Sequence, residues 1–145
     1  MMKRVVFLML LTGVLFACKG DDWLCCAHPF NCDKNAVVDE IKYNETSTAN
    51  YGVDSVVLNG HCLDITITSG GCDPNNWDMN LFASELIVET NPAQYKTKIE
   101  LINNEDCLAV FQKMMSFDVT SLQMTGTNQV QIDIEGWNTP IIYQY

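Results

Sequence analysis

From Tyr51 onward, apolar residues recur at every second position, and this period constrains the fold more than any other feature of the chain. Leu63, Ile65 and Ile67 alternate with Asp64, Thr66 and Thr68. Tyr95, Thr97, Ile99 and Leu101 alternate with Lys96, Lys98 and Glu100, and Val130, Ile132 and Ile134 with Gln131, Asp133 and Glu135. Successive side chains of a strand point to opposite faces, so the pattern describes sheets with one buried face and one wet face. Phe111, Met115, Phe117 and Val119 make a fourth such face, interrupted by Lys113, and shorter strands are expected at 53–58, 77–82 and 141–145. Turn signals separate them, among them Asn59-Gly60, Ser69-Gly70-Gly71, Asp73-Pro74-Asn75-Asn76 and Asn138-Thr139-Pro140. About seven short strands with regular turns predict an all-β domain over 53–145, a single antiparallel β-sandwich of the immunoglobulin-like kind.

The N-terminus carries a different signal. Lys3 and Arg4 precede an uncharged apolar run from Val5 to Ala17, which fits a secretory signal peptide. Lys19, Asp21 and Asp22 end the run before the roughly 18 apolar residues that a transmembrane helix needs. Leu15-Phe16-Ala17-Cys18 resembles the lipobox of bacterial lipoproteins, although Phe16 is bulkier than the usual occupant of its place. The resemblance implies cleavage after residue 17, with diacylglycerol on the Cys18 sulfur and a further acyl chain, of the palmitate type, on the freed amine. One acyl chain holds a protein only marginally at about 0.8 kcal/mol per buried methylene, whereas two or more anchor it stably. Cys18-Lys19-Gly20-Asp21-Asp22 also looks like the surface-export tags of Bacteroidetes lipoproteins, with a plain acidic tether as the alternative. The expected destination is the cell envelope, as an outer-membrane lipoprotein displayed at the surface.

Charge narrows the partners. Without Lys3 and Arg4, six lysines face 18 acidic residues, a formal charge of −12. Such a surface repels phosphate backbones and anionic headgroups, so nucleic acid is excluded and the expected membrane contact is the N-terminal lipid. An extracellular or envelope protein or a glycan is left as the partner class.

Of the seven cysteines, Cys25, Cys26, Cys32, Cys62, Cys72 and Cys107 remain once Cys18 is lipidated, an even number in an oxidising compartment. Residues 18–52 read as a cysteine-rich tether with no sustained apolar period; 36–41 can make a helical turn or two. A strand from Cys62 to Thr68 spans about 20 Å, which separates Cys62 from Cys72 by more than the ~7 Å that a disulfide tolerates. Cys72 and Cys107, both beside turns, are the favoured pair. Cys62 points away from Leu63, Ile65 and Ile67 and is expected to capture Cys25 or Cys26, leaving Cys32 for the other.

The stretches Gly60-His61-Cys62-Leu63-Asp64-Ile65, Ser69-Gly70-Gly71-Cys72, Asn104-Glu105-Asp106-Cys107-Leu108-Ala109, Ser116-Phe117-Asp118 and Ile141-Ile142-Tyr143-Gln144-Tyr145 resemble a group of small Bacteroidetes surface lipoproteins of unknown function. The likeness covers about residues 53–145; it implies fold and location, and no catalytic residue.

Few residues carry chemistry. Cys25, Cys26, His28 and Cys32 can hold zinc or copper(I), but an exported thiol oxidises readily and no second ligand pair follows, so disulfides are preferred and no metal site is assigned. Asp73, Asn75 and Asp78 fail the spacing of a calcium loop and read as a turn. Met79, Met114, Met115 and Met124 are scattered and read as packing. His28 and His61 are the two histidines, no Arg survives processing and no Gly-x-Ser-x-Gly elbow exists, so no catalytic residue and no cofactor is assigned. Trp23, Trp77 and Trp137 are candidate contacts, with Trp77 and Trp137 alternatively in the core. Asp54-Ser55-Val56 matches an O-glycosylation acceptor at Ser55, and Asn44-Glu45-Thr46 an N-glycan sequon unsuited to a bacterium. These features favour a non-enzymatic binding or structural module. A disulfide-stapled inhibitor of a cationic hydrolase such as lysozyme is the alternative, and metal handling by the 25–32 cluster a third.

Overall fold

The computed structural model describes residues 31–145. They form nine strands and one short α-helix, β1 (Lys34–Asn35), β2 (Val37–Val38), α1 (Glu40–Glu45), β3 (Gly52–Asn59), β4 (Cys62–Gly71), β5 (Asp78–Ala83), β6 (Gln94–Ile102), β7 (Ala109–Asp118), β8 (Gln129–Ile134) and β9 (Ile141–Gln144), with 3-10 turns at Pro74–Asn76 and Thr120–Leu122. Sheet A has the order β1-β7-β4-β3 and sheet B the order β2-β5-β6-β8-β9. Leu63, Ile65, Ile67 and Phe117 from sheet A meet Met79, Leu81, Ile99, Val130, Ile132 and Tyr143 from sheet B in one apolar core. Full burial of each such side chain stabilises by about 1.5–3 kcal/mol.

β3 to β9 lie where the period of two places strands. The connection between β3 and β4 is Gly60-His61, with Gly60 at φ 61°; positive φ at the first central residue matches the twist of the flanking strands, and only glycine takes it without steric cost.

Two expectations are corrected. The sheets are mixed rather than purely antiparallel, because β1 with β7, β2 with β5 and β6 with β8 pair in parallel. Residues 34–38, which read as tether, add a fourth strand to one sheet and a fifth to the other. A two-residue strand shows no period; its pairing is decided by the strand it meets. The chain passes from one sheet to the other at the buried Ala36, whose N–H donates to the Asp118 carbonyl at 2.8 Å, and Asp39 N–H donates to Ala83 at 3.0 Å. Lys34 Nζ then bridges the sheets, donating to Asp78 Oδ2 at 2.6 Å and Asn80 Oδ1 at 2.8 Å. The helix turns out to be six residues starting at Glu40, capped by Asp39 Oδ1, which accepts from Lys42 N–H at 2.9 Å.

The structure contains the disulfide Cys72–Cys107 and a second, Cys32–Cys62. The tail cysteine bound to Cys62 is thus Cys32 and not Cys25 or Cys26. The segment that docks beside β7 starts just after Cys32: Lys34 sits opposite Phe117 on β7, and Cys62 sits opposite Asp118 on the other side of the same strand. Asp33 Oδ2 fixes that register by accepting from Ser116 N–H and its hydroxyl, both at 2.9 Å. Cys18, Cys25, Cys26, His28 and Trp23 lie outside the described residues.

Candidate functional site

Three surface features gather polar or exposed apolar side chains. The first is the turn after β4, held by Glu105. Its Oε2 accepts from Cys72 N–H at 2.7 Å, Asp73 N–H at 3.0 Å and Trp77 Nε1 at 2.9 Å, and its Oε1 from Asn76 Nδ2 at 3.0 Å. The Asn76 amide leads the causes that hold this carboxyl at about 2, followed by Asp73 N–H and the Trp77 indole. The Gly71 Cα lies so close that an added Cβ would stand 2.5 Å from the Trp77 ring. Asp73 Oδ1 is used within the turn, accepting from Asn75 N–H at 2.9 Å, and Asp78 faces Lys34. These acids therefore organise a turn beside Cys72–Cys107, and no trio of metal-ligating side chains forms among the described residues. Sequence reasoning missed Glu105: it is one acid in a polar loop whose partners stand about thirty positions upstream.

The second feature is the outer face of sheet A. Alternation on β7 sends Phe111, Met115 and Phe117 inward and Val110, Gln112 and Met114 outward. Met114 is 65% exposed, Val110 68%, Val57 on β3 51% and Leu108, just before β7, 97%. Register sets Ser55, Thr66 and Met114 in one row and Val57, Asp64 and Ser116 in the next. Asp54 Oδ2, beside a bulge in β3, accepts from Thr68 Oγ1 and, at 3.2 Å, from Gln112 Nε2. Ser55, the expected glycosylation acceptor, is half-buried in this face.

The third feature is a cleft of about 350 Å³ on sheet B, with Tyr43, Lys96, Asp133, Glu135, Trp137 and Asn138 among its walls. It opens where the parallel ladder of β6 and β8 ends at Thr97 and Ile134 and the chain turns off β8 through Gly136, at φ 88°. Glu135 Oε1 accepts from Thr48 at 2.7 Å and its Oε2 faces Lys98 Nζ at 3.8 Å, while Lys98 Nζ stands 4.7 Å from the centre of the Tyr43 ring. Burial, then the nearby Glu135 and Glu40 charges, raise the Tyr43 hydroxyl above its usual 10.0, so it stays protonated at neutral pH.

Trp77 is in the core and Trp137 is partly buried at the cleft. Met79 is fully buried, Met115 and Met124 pack against the core, and Met114 is exposed. His61 Nδ1 lies 2.6 Å from the Tyr143 hydroxyl, to which Gln123 Nε2 donates at 2.7 Å. The three side chains form a hydrogen-bonded chain that ties the start of β4 to β9, a structural role.

A mixed, all-β, two-sheet fold with two disulfides is the class these features define. No protein-family model matches the chain, and no curated protein matches it. Among solved structures it is similar to a protein of unknown function, DUF1344, from Bacteroides vulgatus, at 14% identity and TM-score 0.52 over 77% of this chain and 56% of that one. It is similar to a NigD-like immunity protein from Bacteroides caccae at 11% identity and TM-score 0.53, over 75% of this chain and 56% of that one. A putative toxin-related protein from Parabacteroides distasonis follows at 11% identity and TM-score 0.50, over 77% and 60%. The chain thus spans less than two thirds of each neighbour, and what they share is the fold. None of the three is named as an enzyme, and their sources agree with the resemblance to small Bacteroidetes proteins.

Proposed function

We propose that the chain is a lipid-anchored, non-enzymatic binding module of the outer membrane, which holds a cationic protein on the outer face of sheet A. The observation that carries the reading is the set of exposed apolar side chains on this one face, Val110 and Met114 on β7 and Val57 on β3, with Leu108 just before β7, set among Asp54 and Asp64. Single apolar residues on a surface are ordinary; several exposed on one sheet face among polar groups favour an interaction site. The charge of −12 expected of the processed chain selects a basic partner and steers its approach. The name of one structural neighbour, a NigD-like immunity protein, supports a non-enzymatic role of this class. The inhibitor reading is the second one, in which the partner is a hydrolase.

Lysozyme is a suitable cationic probe. Binding by the full chain should weaken as salt rises, and Val110→Ser with Met114→Ser should weaken it about tenfold or more without moving the melting temperature. Loss of lysozyme activity on binding places the chain among inhibitors. Absence of binding at low salt, or binding indifferent to salt and to both side chains, refutes the reading.

A further inference from the structure

The cleft on sheet B has chemistry unlike the rest of the surface. Its volume of about 350 Å³ lies at the lower end of the range for small-molecule sites. Its wall carries Lys96 with Asp133 and Glu135, and Lys98, 3.8 Å from Glu135, offsets part of that carboxylate's charge, on a chain that is otherwise strongly acidic. The residual charge is small, an anion meets two carboxylates, and any charged ligand gives up its hydration on entering.

The groups available are hydrogen-bonding ones. Trp137 Nε1 is buried and has no acceptor among the described residues, and a buried donor left unmatched costs about 1–3 kcal/mol until an acceptor reaches it. Asn138 is exposed beside it and offers both donors and an acceptor. The Tyr43 hydroxyl remains a donor. Asp133 already accepts from Gln131 Nε2 at 2.9 Å and from Gln94, and Glu135 from Thr48, so both carboxylates are held in place with lone pairs to spare. Fixed donors and acceptors alternating beside aromatic rings match a molecule that carries many hydroxyls and no charge.

We propose that this cleft binds a neutral glycan, with the Trp137 indole N–H and the Asn138 amide hydrogen-bonding its hydroxyls and the Trp137 and Tyr43 rings forming its apolar wall. The site lies on sheet B and the protein-binding face on sheet A, so either proposal stands if the other fails.

The test is calorimetric titration of the full chain in a detergent without sugar headgroups. Chitotriose, maltotriose and mannotriose serve as neutral probes, trigalacturonic acid as the anionic probe and the glucosamine trimer as the cationic one. At least one neutral trisaccharide should bind, with both charged trimers about tenfold weaker or worse. Trp137→Phe, which keeps a ring and removes the N–H, should weaken that binding about tenfold. Asn138→Ala changes an exposed side chain and should weaken it with an unchanged melting temperature. No binding of any neutral probe at about 10 mM, binding indifferent to both variants, or a charged trimer bound more tightly than the neutral ones would overturn the proposal.

Discussion

Glu105 satisfies four donors with two oxygens, and its position explains why a polar loop is fixed to the turn after β4. All four bonds strengthen when the carboxylate is charged. Its pKa in the folded chain is about 2 against the usual 4.5, so the folded state favours the charged form. A group with a depressed folded pKa contributes stability that is complete above its unfolded value and disappears as pH falls through the folded one. Glu105→Gln should therefore melt below the wild type near neutral pH, and the gap should close between about pH 5 and pH 2. Thermal melts of the two proteins across that range decide it; a gap that persists at pH 2 would show that the carboxylate charge is not what holds the turn. At Gly71, next to this carboxylate, the close ring of Trp77 leaves no room for a methyl group.

The two disulfides act on different elements, which separates their effects. Cys72–Cys107 joins the end of β4 to the loop before β7 and closes 35 residues of chain, for which loop entropy predicts stabilisation of about 2–4 kcal/mol. Cys32–Cys62 ties the segment before β1 to the start of β4. Replacing Cys72 and Cys107 by Ser should lower global stability in urea by about that amount. Cys32→Ser should chiefly release β1 and β2, seen as faster amide exchange at Ala36 and Asp39 with the β4–β7 ladder still protected. Equal loss of protection in both regions would mean that the tail staple also supports the core. The seven longer strands are legible because alternation continues over four or more residues, as in Leu63, Ile65 and Ile67. β1 and β2 are too short to show a period, and nothing local in β8 says that its partner β6 runs parallel to it. Cys32, not Cys25 or Cys26, is the tail cysteine next to β1 in the chain, and the docking of β1 on β7 that carries it toward Cys62 leaves no local mark in the sequence. The cleft was illegible for the same reason: Tyr43, Lys96 and Trp137 come from three separated segments, and the balance between Lys98 and Glu135 exists only once they are folded together.

At the scale of the whole molecule, the proposed anchor and the charge act in opposite directions. Lipid on Cys18 would hold the chain to the membrane, while the charge of −12 expected of the processed chain would repel anionic headgroups. The disulfide at Cys32 begins the crosslinked domain, and the fourteen Cα steps from Cys18 to Cys32 can span at most about 50 Å. With that anchor the domain would stay within about that distance of the bilayer, and its own charge would push it off the surface. No described helix is long and apolar enough to cross a membrane, so on this reading the acyl chains supply all of the affinity. Cys18→Ser should then move the mature chain from the detergent phase to the aqueous phase on phase separation, as soluble periplasmic protein. Lowering the salt should not restore membrane binding, because the remaining electrostatic force is repulsive. Continued partitioning of the Cys18→Ser chain into detergent would remove the lipid from the account and assign the attachment to the protein itself.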